Sequence, residues 1–214
     1  AHTLPSVTVS ATRSPSRILA TPLAVTKIGT PELRSVNGFG LDDALSRVPG
    51  VIAQSRYGTS DIRLMIRGFG ARGAGDRSNS GTSRGVRVLV DGFPETEPDG
   101  RTAFDQLDLA ATSGLEVIRS NASALWGNAA GGVVNVITMP GSETPALEAQ
   151  TVVGELGLTR YAVRAAAPMG ASGMLWANFT NTSFDGWRDH SDARRALVNG
   201  GASGRVGERT RLGL

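Results

Sequence analysis

The chain has 214 residues, 22 Lys and Arg against 19 Asp and Glu, and a net charge of +3. It has no cysteine and only His2 and His190, at opposite ends, so a disulfide framework and a thiolate metal site are excluded and little is left for zinc chemistry. Its 28 glycines are about twice the usual share of roughly 7%, and 40% of residues are hydrophobic, which favours many short strands and turns over long helices.

No run of about 18 apolar residues occurs, so no membrane helix is expected, and no charged stretch followed by an apolar one marks a signal peptide. That pattern suits either a mature N-terminus or a cytosolic protein. The length suits one domain with a real core and something more. Arginines are interleaved with acids along the chain, so no nucleic-acid partner is expected.

The first element is Leu4 to Thr12, where Val7, Thr8, Val9 and Ser10 favour an extended backbone. Pro5 before it and Arg13 to Arg17, with Pro15, after it should isolate this segment as a lone strand awaiting an edge. Leu23 to Gly29 reads as a strand leading into a helix capped at Thr30 with Pro31 and Glu32 in its first turn. Leu41 to Val48 places Leu41, Ala44, Leu45 and Val48 on one helical face before Pro49 and Gly50 end it. Val51 to Gln54 and Asp61 to Arg67 are strands, and the alternation of Ile62, Leu64 and Ile66 with Arg63, Met65 and Arg67 predicts one buried face.

Three polar segments interrupt these strands. Ser55 to Ser60 is a turn, Ala71 to Gly85 is a long loop with almost nothing apolar, and Phe93 to Phe104 carries Glu95, Glu97, Asp99 and Arg101. Between the last two, the strand Arg87 to Val90 ends at Asp91-Gly92, a strong two-residue hairpin signal. A short helix is expected near Asp108 to Thr112. Glu116 to Arg119 and Val133 to Thr138 read as neighbouring strands, joined by a helical turn over Asn121 to Trp126, a left-handed Gly127 and a Gly131-Gly132 pair suited to close backbone approach.

Several tempting motifs fail on context. Gly81 to Gly85 matches a nucleophile-elbow pattern, but it follows a loop and precedes a strand, the reverse of what an elbow needs. Gly68 to Gly73 lacks the glycine spacing of a dinucleotide loop, and Glu95, Glu97 and Asp99 lack the twelve-residue calcium pattern.

The residues LDDALSRVPGV from Leu41, IRGFG from Ile66, RVLVDGFP from Arg87 and, above all, EVIRSNASALWGNAAGGVVNVIT from Glu116 resemble the plug domain of TonB-dependent outer-membrane receptors. Ser120, Asn121 and Trp126 depart from that pattern, standing for its glycine, proline and tyrosine. The resemblance implies an α+β plug, a small mixed sheet with short helices, over residues 23–140. An N-terminal extension, 1–22, would precede it and the first antiparallel strands of a transmembrane β-barrel, 141–214, would follow.

The texture after Pro140 agrees with that. Glu143 to Leu156, Thr159 to Ala167, Met174 to Phe184, Ala196 to Val206 and the residues from Thr210 are extended, with about the 9 to 11 residues that a membrane strand needs. Tyr161, Val163, Ala165 and Ala167 oppose Ala162, Arg164 and Ala166, while Leu175, Ala177 and Phe179 oppose Asn178 and Thr180. Lipid should take the apolar set. Pro168 to Gly173 and Gly207-Glu208 should be periplasmic turns, and Asp185 to Arg195 an outer loop.

By the same resemblance the chain is the N-terminal part of a receptor of about 22 strands, in the bacterial outer membrane with its plug toward the periplasm. Transport rather than catalysis is implied, with no cofactor and no resident metal. Val7, Thr8, Val9 and Ser10 would be the TonB box, engaged by an inner-membrane coupling protein. A metal chelate, most often a ferric siderophore in this family, would meet the plug apices at Arg56, Tyr57, Arg72, Asp76, Arg77, Phe93, Glu95, Glu97, Asp99 and Arg101. Arg67 and Arg119 would pair with acids of the barrel wall. The competing reading is a soluble β-rich module that binds nucleic acid or glycan.

Overall fold

A computed structural model describes residues 8–9, 13, 16–36, 40–55, 62–70, 84–98, 100–138, 144–170, 172–207 and 210–213. Two compact units are present, one formed within residues 1–107 and 112–138, the other within 108–111 and 139–214.

In the first unit, β1 (Thr8–Val9) pairs antiparallel with β2 (Ser16–Arg17), Thr8 opposite Arg17 and Val9 opposite Ser16. The segment expected to stand alone therefore has a partner within the chain, because the residues read as isolating it end in a short extended stretch of their own. After β3 (Val25–Ile28) comes α1 (Thr30–Arg34), whose start is held by the Glu32 carboxylate accepting from the Gly29 N–H at 3.1 Å. Thr30, expected as the cap, instead donates its hydroxyl to the Ser113 carbonyl at 2.8 Å and so ties the helix to the sheet. In α2 (Leu41–Ser46) the expected face is buried: Leu41, Ala44, Leu45 and the following Val48 are all 2% exposed or less.

The strands β4 (Val51–Ser55), β5 (Ile62–Ile66) and β6 (Phe69–Gly70) form an antiparallel sheet in that order. Ile62, Leu64 and Ile66 are buried as the alternation predicts. A second sheet uses β7 (Val86–Val90), β8 (Phe93–Pro94), β9 (Thr112–Ile118) and β10 (Gly132–Thr138), in the order β3-β9-β10-β7-β8. It is mixed, since β10 runs parallel to β7 and antiparallel to β9. Central strands of such a sheet are covered on both faces, and here Val86, Val88, Leu89, Val133 and Val134 have no exposed surface. One cross-strand pair in it is ionic: Lys27 on β3 lies 3.6 Å from the buried Glu116 on β9.

Two features fix the register of β10. The Asp91-Gly92 turn has both residues left-handed, at φ 50° and 84°, as a two-residue hairpin requires. Asp91 accepts from the Thr138 N–H at 2.9 Å and from its hydroxyl at 2.5 Å, and the Asn135 side-chain oxygen accepts from the Gly92 N–H at 3.0 Å. The one amide in the valine run is thus the anchor of the neighbouring turn. At the other end, Gly127 ends α3 (Ser123–Trp126) with φ 69°, and a Cβ at Gly131 would overlap Phe69, as one at Gly132 would overlap the Ile118 carbonyl oxygen. The glycine pair is the close approach that the sequence suggested.

The second unit is an antiparallel meander of β11 (Ala146–Val153), β12 (Thr159–Met169), β13 (Gly173–Phe184), β14 (Ala193–Val206) and β15 (Thr210–Gly213). Pro168, expected in a turn, lies in β12 opposite Met174, and β14 starts at Ala193, three residues before the expected Ala196. On one face Tyr161, Val163, Leu175 and Phe179 are exposed, while on the other Arg160, Ala162, Asn178, Thr180 and Thr182 are buried. Apolar side chains outside and polar ones inside reverse the pattern of a water-soluble sheet and match a barrel wall in lipid.

Candidate functional site

Of the residues expected to meet a ligand, Arg56, Tyr57, Arg72, Asp76, Arg77 and Asp99 lie outside the described residues, as do Val7 and Ser10 of the expected TonB box. The remaining four follow β7. Phe93 opposes Val90 and is 75% exposed. The chain then runs back along β7: the Glu95 N–H donates to the Val88 carbonyl, and the Thr96 hydroxyl accepts from the Val88 N–H at 2.9 Å. Beyond Thr96, Glu97 and Arg101 close a tight turn through the Glu97 N–H and the Arg101 carbonyl at 2.8 Å. Phe93 therefore sits at one end of β7 and the Glu97–Arg101 turn lies toward the other, so these residues do not converge on a single point.

Arg67 and Arg119, 52 residues apart, are brought together. Arg67, left-handed at φ 52°, donates from its guanidinium to the Arg119 carbonyl at 3.1 Å, and Arg119 donates to the Pro49 carbonyl at 3.2 Å. These bonds close the ends of β5, β9 and the α2–β4 connection against one another. Neither arginine is ion-paired with a described residue, and the Arg119 Nε is buried without a hydrogen bond. Each guanidinium has five donors, so both keep capacity beyond the carbonyls.

A cavity of about 600 Å³ opens on one face of the five-stranded sheet, lined by Arg13, Arg87, Asp91, Gly92, Pro94, Trp126 and Asn135. The Arg13 guanidinium lies over the Trp126 ring, 4.6 Å from its centroid. Sequence reasoning missed this place because its members are spread from residue 13 to residue 135. The available signal was Arg87 and Asp91, which share a face in the period-two pattern of β7. Among the described residues, no three His, Cys, Asp or Glu side chains gather as metal ligands.

The second unit has a polar centre of its own. Asp108, in the short stretch 108–111 that groups with the meander, is 6% exposed. One of its oxygens accepts from the Asn178 amide at 2.9 Å, the Thr180 hydroxyl at 2.7 Å and the Asn199 amide at 3.2 Å, while the other accepts from the Ala110 N–H at 2.9 Å. Asn178 and Asn199 face each other across β13 and β14, which is why a single carboxylate reaches both. The sequence placed Asn178 and Thr180 on the polar face but gave no sign of Asp108 as their partner.

A mixed sheet closed by a glycine pair, followed by a meander with an apolar outer face, defines a plug joined to barrel strands. The family profile described as the TonB-dependent Receptor Plug Domain matches residues 17–133, and the chain belongs to that family. It is 30% identical over 135 residues to the vitamin B12 transporter BtuB of Vibrio vulnificus strain CMCP6, covering 62% of this chain and 20% of that protein. Among solved structures, P. aeruginosa FpvA bound to a heterologous pyoverdine superposes with a TM-score of 0.77 at 20% identity, over 96% of this chain and 26% of that one. The ferric-catecholate import receptor Fiu of E. coli K12 gives 0.70 at 20% identity, over 98% and 29%. At such identities the structural likeness is one of fold. The chain spans about a fifth of the length of the BtuB relatives. These relatives are transporters and receptors, and the soluble binding-module reading gains nothing from them.

Proposed function

We propose that the chain is the plug and first barrel strands of an outer-membrane receptor that takes up a scarce nutrient by coupling to an inner-membrane protein, and that its ligand is a ferric siderophore. The observation that carries this reading is the plug match over residues 17–133, followed directly by strands whose apolar side chains face outward. The ligand would enter from outside and meet Arg56, Tyr57, Arg72, Asp76, Arg77, Asp99 and the Glu97–Arg101 turn, while Phe93, at the opposite end of β7, would lie away from it. Arginines beside aromatic rings suit an anionic, planar chelate. The coupling protein would take hold of Val7 to Ser10 by strand addition, in which main-chain hydrogen bonds supply most of the affinity. The plug would face the periplasm, and Arg67 and Arg119 would engage carboxylates of the wall.

Cobalamin is the second reading, favoured by the 30% identity to a vitamin B12 transporter over 135 residues. Growth of a strain that depends on the intact gene separates the two. Rescue on a defined ferric siderophore as sole iron source, without rescue on limiting cobalamin, supports the first. The opposite pattern replaces it with the second.

A further inference from the structure

The cavity beside Trp126 carries two guanidinium groups against a single carboxylate, so its lining has an excess of positive charge. Arg13 and Arg87 both line it, and neither forms an ion pair with a described residue. Its one acid, Asp91, has both carboxylate oxygens engaged by Thr138. The Asn135 oxygen is engaged by Gly92, so what Asn135 has left to offer is its amide N–H groups. The Arg87 Nε is buried without a hydrogen bond. Two guanidinium forks and an amide donor, beside an indole face, form a set of donors lacking an acceptor, and the volume of about 600 Å³ falls in the range of about 300–1,000 Å³ typical of small-ligand sites.

We propose that this cavity binds a small oxyanion, a carboxylate or phosphate group, between Arg13 and Arg87. Planar forks of this kind match two oxygens of such a group at once. The Trp126 ring, 4.6 Å from the Arg13 guanidinium, helps hold that side chain in place. Because Arg13 belongs to the N-terminal segment and Arg87 to β7, a bound anion fastens that segment to the sheet. The site does not depend on which nutrient the receptor carries.

The test uses the full-length receptor in detergent, labelled with 5-fluorotryptophan, with the Trp126 fluorine resonance assigned by Trp126→Phe. Inorganic phosphate and citrate are titrated separately at constant ionic strength, with chloride as the reference anion. A saturable shift of the Trp126 signal with a Kd of about 1 mM or tighter is expected for at least one of them, and the two arms separate phosphate from carboxylate chemistry. Arg13→Gln and Arg87→Gln should each weaken it at least tenfold. Arg13 is exposed and outside the core, so its variant keeps the test valid even if Arg87→Gln disturbs the strand. The proposal is overturned if neither anion gives a saturable shift, if chloride gives the same one, or if the Kd is unchanged in both variants.

Discussion

Replacing Asp108 should loosen the short stretch 108–111 and leave the β3-β9-β10-β7-β8 sheet untouched. The carboxylate accepts three side-chain hydrogen bonds and one backbone hydrogen bond, from partners of which Asn178 is 3% and Thr180 1% exposed. Hydrogen bonds to a charged group contribute about 1.5–3 kcal/mol each, and a buried donor left without an acceptor costs about 1–3 kcal/mol. These terms are not additive, because Asn178 also donates to the Thr180 hydroxyl at 3.1 Å and retains that bond. Asp108→Ala should therefore cost about 3–4 kcal/mol locally, and Asp108→Asn about 2 kcal/mol, since one amide oxygen cannot serve both sides. Native-state hydrogen exchange on the intact receptor reads this at the Ala110 and Ala111 amides, which bond to the Asp108 side chain and carbonyl. Their protection should fall by more than about a hundredfold in Asp108→Ala, with Val88 unchanged. A fall of less than about threefold would show that the carboxylate does not hold this segment.

Gly132→Ala, with φ 152° and the Ile118 carbonyl oxygen in the way, should lower plug stability by about 3 kcal/mol, seen as faster exchange along β10; unchanged exchange would mean the strands separate at little cost. The Arg67→Ala, Arg119→Ala double variant of the intact receptor should leak antibiotic across the outer membrane, and wild-type exclusion would remove the proposed locking role. Thr8→Pro should abolish uptake while preserving surface binding of ligand, whereas Thr8→Val should alter neither, because proline removes an N–H that strand addition needs; normal uptake by the proline variant would move the coupling segment elsewhere. Burial pushes the Asp42 carboxyl above its usual value of 3.8, with a smaller push from Asp43, against the lowering effect of nearby backbone N–H groups. The folded state thus holds that proton more tightly, so the contribution of Asp42 to stability is full below 3.8 and is lost as pH rises through the elevated value. Asp42→Asn should flatten the acid-range pH dependence of α2 exchange, and an unaltered profile would place the titrating group elsewhere.

Much of the architecture could be read directly because it is written at short range. Period-two alternation marked Ile62, Leu64 and Ile66 as one buried face and Leu175, Ala177 and Phe179 as one exposed face, and Asp91-Gly92 announced its hairpin. What stayed hidden depends on contacts that no local window contains. The pairing of Thr8–Val9 with Ser16–Arg17 is a two-residue ladder, too short for propensity to signal. Thr30 looked like a cap, yet its hydroxyl found a carbonyl 83 residues away. Asp108 and the cavity around Arg13, Arg87 and Trp126 are assembled from separate elements, so spacing gives no trace of the first and, of the second, only the shared face of Arg87 and Asp91. The proposed ligand contacts at Arg56, Tyr57, Arg72, Asp76, Arg77 and Asp99 lie outside the described residues.

The proposed uptake requires an inner-membrane coupling protein that acts through the N-terminal segment of the receptor. The most direct measurement is accumulation of radiolabelled ferric siderophore by cells expressing the intact gene, with and without that coupling protein, alongside binding to the same cells on ice. Equal binding in both strains is expected, with accumulation only where the coupling protein is present. Accumulation that continues without the coupling protein, at the same rate and from the same bound pool, would contradict that requirement.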